Sequence, residues 1–100
     1  MELDRTFNPR YGSGQTLSVT ATSQSVTFGK NNWAITLTNL GSNVAYVRVG
    51  SGTQTAVVAD YPVLPLTQVS ISKNYDDDTL AAVCAATQTT TLHIIPGEGI

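Results

Sequence analysis

Few residues in this chain have the type and spacing that chemistry requires. There is one histidine, His93, and one cysteine, Cys84. A Cys–His nucleophilic pair needs a thiol activated by its surroundings, and Cys84 sits in the apolar run LAAVCAA without an activating motif. A tetrahedral zinc site would need two carboxylates besides this pair, and no spacing supplies them. His93 alternates with Leu92 and Ile94 and reads as a structural residue on the other face of a strand. Asp76, Asp77 and Asp78 form the densest charge in the chain. Loop carboxylates can ligate calcium, but three consecutive side chains do not converge on one ion, and the glycine-spaced pattern of a calcium loop is missing. The run is read as a solvated turn, with a cation site as the alternative. Lys30, Asn31, Asn32 and Trp33 combine amides with an indole, the ingredients of a small sugar-binding platform. Against that, Trp33 opens the best strand of the chain and is expected to fill the core. No phosphate-binding or dinucleotide fingerprint occurs. The sequence predicts no catalytic residue, no metal site and no cofactor.

The elements around these residues are strands. Fifteen Thr and eight Ser accompany a charged fraction of only 12%. Thr loses rotamer freedom in a helix and fits a pleated, half-buried surface. The composition therefore predicts an all-β chain with a neutral, hydroxyl-rich exterior. The net charge of -2 and five scattered basic residues argue against a nucleic-acid surface. No apolar run approaches the roughly 20 residues that cross a bilayer, and no membrane partner is expected. The first residues lack the apolar stretch of a secretory signal, and a lone cysteine suits a reducing compartment.

Alternation places the elements. Leu17 and Val19 mark one strand, Val26 and Phe28 another. Trp33, Ile35 and Leu37 then alternate with Ala34, Thr36 and Thr38, and after Asn39–Ser42 the pattern resumes through Tyr46 to Gly50. This stretch predicts a hairpin at the centre of the fold. Thr53–Ala59 predicts a further strand. Asp60–Pro65 carries two prolines and is expected to be an extended crossing segment. Val69 and Ile71 lie inward in the next strand, Leu80–Ala86 reads as a strand buried on both faces, and Thr90–Ile95 is the last. About eight strands predict an antiparallel β-sandwich, jelly-roll-like, over residues 15–100, with Trp33, Ile35, Leu37, Tyr46, Val69 and Ile71 in its core. Residues 1–14 show no periodicity. They read as an arm, either a frayed tail or a segment docking on a neighbouring subunit through Leu3, Phe7 and Tyr11.

Three pieces of the chain carry a resemblance: Thr38–Gly50 (TNLGSNVAYVRVG), Ala59–Pro65 (ADYPVLP) and the terminal Pro96–Ile100 (PGEGI). In these the chain resembles a family of small virion proteins of tailed phages. Where the family often carries a glycine after the second piece, this chain has Leu66. The resemblance implies a non-enzymatic β-sandwich subunit, made in the host cytoplasm and attached to the exterior of the head. A decoration or cement protein binding across copies of the major capsid protein is the expected function. A neck, tail or fibre-adaptor subunit and a receptor- or glycan-binding module are the alternatives. The small core and the apolar arm also predict self-association, as a trimer.

Overall fold

A computed structural model describes residues 7–99. Leu3 lies outside the described residues. Nine strands occur among them: β1 (Asn8–Pro9), β2 (Gln15–Val19), β3 (Gln24–Thr27), β4 (Ala34–Asn39), β5 (Ala45–Gly50), β6 (Tyr61–Val63), β7 (Gln68–Ser72), β8 (Thr79–Val83) and β9 (Thr90–Glu98). One sheet runs β2-β9-β4-β7, with β1 pairing further along β9; the other runs β3-β8-β5-β6. Every pairing is antiparallel. The chain is thus one long ribbon folded over: β2 pairs β9, β3 pairs β8, β4 pairs β7 and β5 pairs β6. Nested pairs distributed over two sheets make the jelly-roll sandwich.

The expected central hairpin is not one. β4 and β5 lie in different sheets and do not pair. Their alternation was legible because each buries one face on the core, and the connection between them is a corner that crosses from sheet to sheet. The hairpin at the apex of the ribbon is β5–β6 instead.

The core fills the space between the sheets. Val19, Ile35, Leu37, Val47, Val63, Leu80, Leu92 and Ile94 are buried there, with Phe28 as the aromatic member, and Val69 and Ile71 pack against it from the edge strand β7. Ile35, Leu37, Val69 and Ile71 therefore occupy the core positions expected of them. Two expected members do not. Trp33 is 54% exposed. Strict alternation keeps it in phase with Ile35 and Leu37, but it lies past the end of the core, which Phe28 closes. Tyr46 is on the other face of its strand, outside the sandwich, against Ala56, Ala81 and Val83. The inward residues of β5 are Ala45 and Val47.

This small outer cluster explains why β8 is buried throughout. Leu80 and Ala82 face the main core, while Ala81 and Val83 are covered by the chain that follows β5. That chain includes Thr53–Ala59, which forms no strand. It is a loop whose Ala56 is buried and whose Ala56 amide donates to Ser23 Oγ at 2.9 Å. The loop is closed by Asp60, which accepts Arg48 Nη2 at 3.0 Å on one oxygen and the Val57 amide at 2.8 Å on the other. The Val57 amide, with the Arg48 guanidinium, holds the Asp60 carboxyl below its ordinary value. A depressed carboxylate stabilises the fold above its unfolded value and ceases to as the pH falls through the folded one. The thermal midpoint should therefore drop as the pH is lowered from 5 toward 2, and Asp60→Asn should flatten that part of the profile. A profile identical in the variant would refute the role given to Asp60.

Residues 7–9, within the segment read as an arm, lie against the body. Asn8 and Pro9 pair with Glu98 and Gly97. Gly97 has no side chain because none fits: an added Cβ would lie 2.7 Å from the Phe7 ring and collide with the Asn8 carbonyl. Phe7 thus lies over β9 of its own chain. Pro9 is accommodated because β1 is an edge strand, where a missing amide costs little.

Candidate functional site

His93 and Cys84 are on opposite sides of the first sheet. Cys84 belongs to the core, where burial pushes its thiol up from the ordinary value, and its Sγ lies 3.9 Å from the Val19 carbonyl. His93 alternates with the core residues Leu92 and Ile94 and faces outward over Gly14. They cannot act as a nucleophilic pair. The acidic run builds turns. Asp77 accepts the Asn74 amide at 3.3 Å, and Asp78 accepts the Gly52 amide at 3.2 Å and Thr79 Oγ1 at 3.0 Å. The Gly52 and Thr79 bonds hold the Asp78 carboxyl below its ordinary value. Among the described residues no three His, Cys, Asp or Glu side chains converge as a metal site.

What the structure does display is apolar surface at both ends of the sandwich. The first end is organised by Asn39, the last residue of β4. It is 1% exposed and satisfies all of its hydrogen-bonding capacity. Nδ2 donates to the carbonyls of Asn43 (2.8 Å) and Val63 (3.0 Å), while Oδ1 accepts from the Gly41 amide (3.1 Å) and Thr90 Oγ1 (2.7 Å). One side chain thereby ties the β4–β5 corner to β6 and β9. Its backbone amide donates to the Thr67 carbonyl, which fixes the β6–β7 turn beside it. Around this pinned corner stand Leu40, Leu64 and Leu66, exposed by 55%, 56% and 77%. Leu66 has φ +57°, the left-handed region. Pro65 followed by a residue of positive φ is the type II arrangement, where glycine is favoured. A leucine there is strained, and none of the described residues covers it to compensate.

The second end carries Trp33 and Tyr75. Their ring centroids are 4.8 Å apart with planes tilted by 40°. The pair is held from below. Trp33 N donates to the Gly97 carbonyl and Trp33 O accepts the Lys73 amide, continuing the sheet at both edges of β4. Arg10 Nε donates to Asn32 Oδ1 at 2.9 Å, and Asn32 Nδ2 donates to the Lys30 carbonyl at 3.0 Å. The Asn31 amide donates to the Tyr75 carbonyl, joining the two loops. Lys73 is 8% exposed, lies 5.5 Å from the centre of the Phe28 ring, and donates Nζ to the carbonyls of Asn74 (3.0 Å) and Asp77 (2.7 Å). Burial lowers its pKa from the ordinary lysine value; the neighbouring carboxylates, Asp77 first, act in the opposite sense. Along β4, Trp33 and Leu40 are separated by roughly 23 Å of strand, so the two surfaces face opposite ways.

No protein-family model matches the chain, and no curated protein matches it in sequence. Its fold is similar to a solved structure. The crystal structure of PirA superposes with a TM-score of 0.59 over 87% of this chain and 95% of that one, at 9% identity. The likeness is one of fold: a two-sheet β-sandwich.

Of the side chains proposed from sequence as subunit contacts, Phe7 packs on its own chain, whereas Tyr11 is 84% exposed. The surfaces now apparent were missed for different reasons. Leu66 had a signal, a leucine in a turn that suits glycine. Tyr75 had none, because nothing in the sequence joins the loop after β7 to the one before β4.

Proposed function

We propose that the chain is a non-enzymatic subunit of a tailed-phage particle that decorates the head exterior, docking on neighbouring copies of the major capsid protein through its Asn39 end. The observation that carries this reading is Leu66, a strained and displayed leucine beside two further exposed leucines on a rigid corner. Strain is retained where it serves a contact, and a rigid apolar surface loses little freedom on docking. The resemblance to phage virion proteins bears on the same place. Its first two pieces contain Asn39, Leu40, Gly41, Val63, Leu64 and Pro65, the residues that build this corner. The neutral, hydroxyl-rich sheet faces suit permanent packing in an assembly. Repeated weak contacts across a lattice add by multivalency, and a ligand of the intact lattice stabilises it by mass action. Three copies around a threefold position of the head are the arrangement proposed, with light scattering of the free protein and mass spectrometry of decorated heads as the measurements.

Heads assembled without the protein should form and package DNA but release it at lower temperature, and added protein should restore their resistance. Leu66→Gly separates docking from folding. Glycine relieves the backbone, so the free protein should become more stable by about 1 kcal/mol. Binding to heads should nonetheless weaken by about tenfold, as expected for loss of a buried leucine contact. Unchanged head stability without the protein would refute cementing. Normal heads that lack tails or fail to infect would move the subunit to the neck, tail or receptor-binding apparatus.

A further inference from the structure

We infer that β7 is a strand-addition site: its free edge receives an extended segment of the major capsid protein when the chain docks. This rests on the head-docking reading and names the form of the partner at that contact. β7 borders its sheet, pairing with β4 alone. The Asn39 amide donates to the Thr67 carbonyl and the Lys73 amide to the Trp33 carbonyl, and the register between them is unbroken. Bonding alternates along an antiparallel pair, so Val69 and Ile71 turn their amides and carbonyls to β4. Gln68, Ser70 and Ser72 turn theirs outward, where no backbone of the described residues meets them. The side chains of Ser70 and Gln68 leave this edge uncovered. Ser70 Oγ lies 2.7 Å from Thr36 Oγ1, and Gln68 Nε2 donates to Thr38 Oγ1 at 2.9 Å, so both are folded back over β4.

An open edge is ordinarily blunted by a proline, a charge, a bulge or short length. Other edges of the sandwich show such devices. β1 is two residues long and contains Pro9; β6 is three residues with Pro62 at its centre, and its Val63 carbonyl is taken by Asn39. The Thr27 carbonyl of β3 accepts Gln15 Nε2 of β2 at 2.7 Å, which bridges those two edges. β7, with the sequence QVSIS in regular register, has none of these devices. Val69 and Ile71 are only partly buried at the rim of the core, so an added strand would complete their burial. Amides and carbonyls displayed at alternate positions recognise another backbone in extended form, with about six hydrogen bonds if it runs antiparallel. Val69 and Ile71 select apolar side chains on its inner face, and the uncharged edge selects a neutral segment. Location assigns that segment to the protein on the leucine corner. Leu66 stands two residues before Gln68, and the bond from Asn39 to Thr67 holds turn and strand together. Leu64, Leu66 and the edge are thus continuous, and a partner seated on the leucines runs onto β7.

Ser70→Pro tests the edge without touching the leucines. The Ser70 amide points away from β4, so proline removes no bond of the sheet, and an edge strand tolerates it there. The thermal midpoint should fall by no more than about 5 °C. Binding to heads that lack the protein should weaken by at least about tenfold, because β7 loses its central donor and presents a ring instead. Ser70→Ala keeps the amide and loses only the Thr36 contact, and it should bind as the wild type does. Amide exchange in the wild-type chain gives a second reading independent of any variant, with label taken up on heads and read by NMR after release. Gln68, Ser70 and Ser72 should exchange freely in the free chain and slow by at least about tenfold on heads, while Val69 and Ile71 are protected in both. The inference is overturned if Ser70→Pro binds heads normally, or if those three amides exchange equally in both states. Weakened binding of Leu66→Gly alongside either result would leave head docking standing and remove strand addition alone. Protection of the three amides in the free chain as its concentration rises would make a second copy the occupant, and overturns the inference as well. A wild-type chain that does not bind heads ends both readings.

Discussion

Replacing Asn39 by alanine should destabilise the protein by about 3–5 kcal/mol, although no hydrophobic contact is removed. The side chain is buried and makes four hydrogen bonds. Removing it orphans two acceptors, the Asn43 and Val63 carbonyls, and two donors, the Gly41 amide and the Thr90 hydroxyl. A buried group left unpaired costs about 1–3 kcal/mol. Water can reach the Asn43 carbonyl and the Gly41 amide, which are only partly buried, so those two contribute less. Asn39→Asp is the sharper variant. It keeps both acceptor interactions but turns a carboxylate toward two carbonyls, so it should be worse than alanine at pH 7 and recover in acid as the carboxyl protonates. Urea unfolding with an unchanged slope should report both. A loss under about 1 kcal/mol for Asn39→Ala would mean that the corner is held by its backbone alone. Gly41→Ala tests the same corner from the other side, because an added Cβ would collide with Thr90 Oγ1.

Asn39 also marks what the sequence could not disclose. Alternation identified the inward residues Leu17, Val19, Ile35, Leu37, Leu92 and Ile94, because each strand has one face on the core. The apolar run around Val83 was legible as buried on both faces, since small residues are what a covered outer face admits. Partners were not legible. β3 pairs with β8 across more than fifty intervening residues, and no local pattern records that choice. The same blindness made TNLGSN look like a hairpin turn. A turn asparagine and a buried asparagine that bridges two sheets are spelled alike, and only the positions of Val63 and Thr90 distinguish them. Trp33 failed for a related reason. Period-two alternation tells which face a residue takes, but not whether the opposite sheet extends far enough to cover it. Tyr46 failed because both faces of its strand are apolar, and the cover on the outer one comes from a loop that alternation had marked as a strand. The chemistry-bearing residues were easier. His93 was legible as facing away from Leu92 and Ile94 because it alternates with them, whereas Cys84, in an apolar run without alternation, was legible only as buried, and its side of the sheet was not.

The core itself makes the second large prediction. Leu37→Ala should cost about 3–5 kcal/mol, near the upper part of the range for such truncations. Leu37 is fully buried on the central strand β4, opposite Ile94 on one side and Val69 on the other, so rigid strands flank the space it would vacate. A cavity there cannot close by moving a loop. Val69 provides the comparison. It sits on the edge strand β7, partly buried, with no strand of the described residues beyond it. Val69→Ala should cost only about 1 kcal/mol, because less area is lost and the edge can relax inward. The two variants remove side chains that face each other across one register, yet they should differ by several-fold in effect. A domain of this size has about 5–15 kcal/mol in all, so Leu37→Ala should leave it close to unfolding at 37 °C while Val69→Ala folds normally. Equal losses at the two positions would mean that β7 is not an open edge, as would follow if a second copy packed against it. Repeating both measurements over a hundredfold range of protein concentration resolves that case, since a cost arising from association depends on concentration and one arising from a cavity does not.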